Sequence, residues 1–231
     1  MLIAEELILL ALDDAGRMPP KVRTSRAAAV VVGGALLAEL ALDGAVASDK
    51  HLMRQTMLRA VPDRRPSSSQ PLRDAFDRVA EESGAPLPLA LSIGAGRFEQ
   101  LAAGLVSQGH LARKEHASFL AVPVTWPVAD RERKDTLQLR VMSELVRDSA
   151  PEPRTGVLIA FLSVLNVVDQ FPTPANGSPT ALRRRAKAIA RGSWASAAVR
   201  TALRSVDSGR GNPPRGESPT QGFNGEGDAG W

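Results

Sequence analysis

GVLIAFLSVLNVVDQF, residues 156–171, is a long, strongly apolar run. A bilayer-spanning helix needs about 20 predominantly apolar residues. This run is shorter, and Asn166 and Asp169 make its end too polar to span. Pro153, just upstream, suits the first turn of a helix, where its missing N–H has no partner to lose. Long apolar continuity without strand alternation reads as the central helix of a core. Buried polar groups require partners, so Asn166 and Asp169 are expected to bond a loop or a neighbouring helix.

The flanks continue the helical pattern. Asp130 is placed to cap a long helix reaching Arg147, with Leu137, Val141 and Leu145 turned inward. Two more helices are expected near 178–191 and 193–206. In the first of them, Arg183, Arg184, Arg185, Lys187 and Arg191 oppose an apolar stripe of Leu182, Ala186 and Ile189. That is the pattern of a polar helix face, or of a second basic patch turned to lipid. From Ser208 to Trp231 the composition shifts to Gly, Pro, Ser and Asn with almost no aliphatic residues. Such a segment cannot offset its chain entropy by burial, and disorder is expected. The organisation is a domain over 1–207 and a tail over 208–231.

Toward the N-terminus, Ile3, Leu7, Leu10 and Ala11 recur at helical spacing over 3–12, with Glu5 and Glu6 in the first turn, where the helix dipole favours acids. RMPPKVRTSR (17–26) is a basic connector broken by Pro19 and Pro20. A very apolar helix from about Ser25 to Leu42 closes at Asp43-Gly44. Ala45 to Ala60 reads as a short two-stranded unit, PDRRPSSSQ (62–70) as a surface loop, and Ser69 or Gln70 to Glu82 as a helix burying Leu72, Phe76 and Val79. Gly96 to Gln108 is a further helix, stopped by Gly109. HASFLAVPVTWP (116–127) is a hairpin with Leu120, Val122, Val124 and Trp126 on one face. Pro123 has no N–H to donate to a central ladder, so this ribbon belongs at an edge or projects. The fold class is all-α: one compact multi-helix domain with small β-hairpins, one of them projecting.

Catalytic chemistry finds no foothold. There is no cysteine, and His51, His110 and His116 show no i,i+4 metal pairing. No G-x-S-x-G elbow occurs. Gly94 and Gly96 form a GxG, but Glu99 stands where a third glycine belongs and no βαβ unit surrounds it. The reading is a non-enzyme with no cofactor and no metal. MLIAEELILL carries two glutamates where a secretory leader carries positive charge, and the expected location is the cytoplasm.

The formal net charge is +4, and 24 of the 29 basic residues are Arg. Genome base composition accounts for such a bias, and so does a need for guanidinium forks that match phosphate oxygens. A nucleic-acid reader would place cations on a recognition helix. Residues 27–49 contain no Lys or Arg, the 96–108 helix only Arg97, and the chain has no Tyr for stacking. The sequence therefore argues against a nucleic-acid partner.

AEELILLALDDAGR (4–17), ALLAELALDGAV (35–46), LAAGLVSQGHL (101–111) leading to TWP (125–127), and PRTGVLIAFLSVL (153–165) occur in order over roughly residues 2–206. Together they resemble the Golgi phosphoprotein 3 family, its bacterial branch in particular. The resemblance implies a single, mostly helical, non-catalytic domain. Its eukaryotic members bind phosphatidylinositol 4-phosphate, recognise cytosolic tails of Golgi glycosyltransferases, and use a projecting hairpin for oligomerisation and membrane insertion. Their headgroup residues are a Trp after the first helix, an Arg in the second and an Arg pair before the hairpin. Those positions fall on Val22–Thr24, on Gly33, and on Ala95 and Phe98 here, and none matches. Nearby cations stand as substitutes, so Arg17, Arg23, Arg26, Arg97 and Arg113 are the expected anion-binding residues. Phe119, Leu120, Val122 and Trp126 are the expected hairpin contacts, with a membrane or with a second subunit. The expected function is a peripheral membrane adaptor on an anionic phospholipid surface, with protein clients and homo-oligomers as further partners. The alternative is a protein–protein scaffold that oligomerises through the 116–126 hairpin without lipid.

Overall fold

A computed structural model of the chain describes residues 1–50, 56–66, 69–115, 124–172 and 178–192. Their elements are α1 (Ile3–Ala11), α2 (Ser25–Leu42), β1 (Val46–Lys50), β2 (Thr56–Ala60), α3 (Gln70–Glu81), α4 (Pro86–Gly94), α5 (Arg97–Ser107), β3 (Lys114–Glu115), β4 (Val124–Thr125), α6 (Arg131–Val146), α7 (Pro153–Leu165) and α8 (Pro179–Arg191). The fold is mainly helical with two small antiparallel ribbons, β1–β2 and β3–β4. The expected helix near 193–206, the tail from 208, and His51 and His116 lie outside the described residues.

The hub is α2 rather than α7, which is about as hydrophobic. Only Ser25, Arg26, Ala41 and Leu42 of α2 escape burial, and it packs against α1, α3, α4, α5, α7 and β1. Small side chains explain its position, because Ala and Gly let neighbours approach on several sides at once. The α2–α4 crossing shows the limit of this approach. A Cβ built on Gly33 would lie 2.0 Å from the Ala90 carbonyl oxygen, and one built on Gly94 would lie 1.9 Å from that of Ala29. By length and composition α2 alone of the described helices could cross a membrane, but 72% of it is buried inside the protein.

α4 itself is not visible to periodicity in PLPLALSIG. Pro86 and Pro88 read as coil, yet both lie in the first turn of the helix, where the N–H groups have no intrahelical acceptor. α7 is shorter than its apolar run suggests. Glu152 caps its start, accepting from Arg154 N at 2.9 Å and Thr155 N at 2.7 Å. Asn166 ends it by adopting the left-handed conformation at φ 60. The chain then makes a 3-10 turn over Val168–Gln170, in which Asp169 pairs with Arg183 of α8 at 2.9 Å.

One buried ionic cluster ties the helices together. Glu6 of α1 accepts from Arg140 of α6 at 2.6 Å, and Glu39 of α2 accepts from Arg154 of α7 at 2.7 Å. The second oxygen of Glu39 takes Ile3 N at 2.8 Å, which serves the uncapped start of α1.

Candidate functional site

The expected anion-binding residues come from four stretches of chain, and a pair of aromatic rings explains how most of them meet. Gly16, in the left-handed region at φ +73, accepts from Trp126 N at 2.8 Å. A Cβ there would lie 2.3 Å from Trp126 C and Pro127 N, so the basic connector rests directly on the backbone of the hairpin base. The Trp126 ring meets Phe98 edge-to-face, with centroids 6.4 Å apart. Arg113 places its guanidinium 6.0 Å from the centroid of the same indole. Phe98 follows Arg97 in the first turn of α5. Arg113 thus lies against this buried aromatic pair, and Arg17 and Arg97 are next in sequence to Gly16 and Phe98, which touch Trp126.

Each of the three has an acidic partner. Arg17 donates through Nε to Asp13 at 2.9 Å. Burial alone would raise the Asp13 carboxyl, but bonds from Arg17 N, its guanidinium and Ala15 N outweigh this and hold it below the usual carboxylate range. Arg97 donates to Asp74 of α3 at 2.7 Å and to Gln100 at 2.9 Å. The Arg97 guanidinium is the main reason the Asp74 carboxyl is also lowered. Arg113 pairs with Glu115.

Arg23 and Arg26 differ. Both are exposed, and neither has a hydrogen-bond or ion-pair partner among the described residues. They flank Thr24, whose Oγ1 caps α2 by accepting from Ala27 N at 3.2 Å. Because α4 runs antiparallel to α2, with Ala90 against Gly33 and Gly94 against Ala29, the α4–α5 junction lies by the first turn of α2. Arg26 and Arg97 therefore stand at the same end of the fold.

The hairpin reading needs one correction. Trp126 is only 7% exposed and packed on Gly16 and Phe98, so it anchors the ribbon base and is not a surface contact. Phe119, Leu120 and Val122 lie outside the described residues. His110 is part-buried and pairs through Nδ1 with Asp130 at 2.9 Å.

Lys21, a connector cation read with Arg17, Arg23 and Arg26 as a candidate anion contact, is turned instead to α7. Its Nζ donates to Val164 O at 3.3 Å and, in the amide orientation that satisfies both side-chain atoms, to Asn166 at 2.9 Å. A cation at the C-terminus of α7 complements its dipole, but a partner 143 residues away leaves no local signal.

No curated protein matches this chain. The family model described as Golgi phosphoprotein 3 (GPP34) matches residues 3–206, which take in every described element from α1 to α8. By that match the chain belongs to the Golgi phosphoprotein 3 family.

Proposed function

We propose that this protein is a bacterial-branch member of its family. In this reading it acts as a non-catalytic, cytoplasmic adaptor that docks peripherally on anionic lipid. The docking face is the end of the fold where the connector, the first turn of α2, the start of α5 and the base of β3–β4 meet. One observation carries the reading. At this end the inner arginines are held by carboxylates, while Arg23 and Arg26 remain exposed and unpaired among the described residues. Each basic residue close to an anionic leaflet contributes about 1 kcal/mol.

The headgroup suggested by family resemblance is phosphatidylinositol 4-phosphate. Gly33, at the position of one headgroup arginine, faces the Ala90 backbone. Attraction in this chain is accordingly assigned to surface charge, with Arg17, Arg97 and Arg113 shaping the face. The docking unit is residues 1–207, and the 208–231 tail is not needed for it.

Vesicle flotation tests this. Phosphatidylserine and phosphatidylinositol 4-phosphate vesicles of equal charge are expected to retain the protein, while phosphatidylcholine vesicles are not. Arg23→Gln with Arg26→Gln should weaken retention by roughly 30-fold. Retention indifferent to lipid charge, with oligomers in light scattering, would instead favour a scaffold acting through the 116–126 hairpin.

A further inference from the structure

The cations of α8 have no part in that face as described. PTALRRRAKAIAR contains five basic residues, no acid and no aromatic ring. Elsewhere, arginines such as Arg59, Arg65, Arg78 and Arg140 are paired with carboxylates. In α8 only Arg183 has one, Asp169. Arg185 turns to the far side and donates to the carbonyls of Arg147 and Ser149. Arg184 and Lys187 have no partner among the described residues, and Arg191 donates only to the Lys187 carbonyl, at 3.4 Å. Thr180, Arg184, Lys187 and Arg191 follow one face at i, i+4, i+7 and i+11, and with Arg183 they line a cavity of about 330 Å³. Like charges at i,i+3 and i,i+4 repel on a helix, and an anion placed against the stripe would relieve that repulsion.

A neighbouring cavity of about 180 Å³ is lined by Arg183 and Lys187 together with Asn166 and Asp169, whose carboxylate is taken by Arg183. Asn166 is also where Lys21 reaches, two residues before Arg23.

We infer that the exposed stripe of α8 is a second anion-binding strip, whose ligands are the phosphate groups of an anionic bilayer. The inference rests on the docking reading above and extends it to a part of the fold that reading leaves out. The stripe is about 17 Å long from Thr180 to Arg191. Its cations stand in line, which suits several headgroups side by side better than a single ion. Guanidinium and ammonium donors match phosphate oxygens. The lack of any aromatic ring on α8 counts against single-stranded nucleic acid, which is held by stacking.

The test titrates the full chain with phosphatidylcholine vesicles containing or lacking phosphatidylserine, at several salt concentrations. The triple variant Arg184→Gln, Lys187→Gln, Arg191→Gln is expected to bind on the order of a hundred-fold more weakly and with a flatter salt dependence. Gln keeps the helix propensity, and an unchanged thermal midpoint shows that the fold survives. Arg184→Lys with Arg191→Lys, which keeps the charge, should bind like the parent. Three results would overturn the inference: a triple variant that binds normally while Arg23→Gln with Arg26→Gln does not, full displacement by millimolar inorganic phosphate, or loss of DNA binding with vesicle binding unaffected. The first of these leaves the docking reading standing. Failure of the parent chain to bind anionic vesicles overturns both.

Discussion

Gly33 and Gly94 sit where two backbones touch. A methyl group on Gly33 would meet the Ala90 carbonyl at 2.0 Å, and a carbonyl cannot swing aside as a flexible side-chain end can. Gly33→Ala should therefore destabilise the protein by about 3 kcal/mol, read as a lower denaturant midpoint. Gly104→Ala is the contrast. It lies within α5 with nothing inside 4 Å of the added carbon, and should stabilise by about 0.5–1 kcal/mol. Lys134 offers a pH test. Its Nζ donates to Leu12 O at 2.6 Å at the end of α1, and burial lowers its pKa from 10.5. In the window just below 10.5 the unfolded chain keeps a proton that the folded chain has released. Unfolding free energy therefore rises with pH through that window. With no Tyr and no Cys, little besides the lysines titrates there. Urea midpoints measured from neutral pH upward should show the rise, and Lys134→Met should abolish it.

Where helices begin and end was mostly legible, because capping chemistry is local. Asp130 caps α6 as its sequence context implied, accepting from Arg133 N at 2.9 Å, and Ser69 caps α3 by accepting from Leu72 N at 3.4 Å. Two boundaries were not legible. α4 hides behind its prolines, and α7 stops at Asn166, where hydropathy continues but the backbone turns left-handed. The α7 cap is measurable. Glu152→Ala should cost about 1–2 kcal/mol. Burial alone would raise the Glu152 carboxyl, but the Arg154 and Thr155 N–H bonds prevail and lower it from 4.5. A carboxylate depressed in the fold stabilises it above its unfolded pKa, and that contribution fades as pH falls through the folded value. Acid unfolding of Glu152→Gln should therefore depend less steeply on pH than that of the parent.

At the level of the molecule, Glu6, Glu39, Arg140 and Arg154 join α1, α2, α6 and α7. Arg154→Met would leave Glu39 buried without its guanidinium and should cost about 3 kcal/mol. Because α2 touches most of the other helices, that loss should appear as one cooperative transition shifted to lower temperature in calorimetry. Long-range pairing is also what limited the reading of the site. Cations near the connector and hairpin base could be picked out by type. That Asp74 claims Arg97 from another helix, or that Lys21 reaches across to α7, depends on partners 23 and 143 residues distant. The centre of the core was misplaced for a related reason: hydropathy does not separate α7 from α2, while the small residues of α2 let it touch more neighbours.

The crossing of α2 over α4 also limits what either helix can become. Two glycines each hold the opposite backbone so close that neither can change alone without parting the helices. A bulkier side chain at Gly33 therefore has to be matched by a retreat of α4, so the two helices can change here only together.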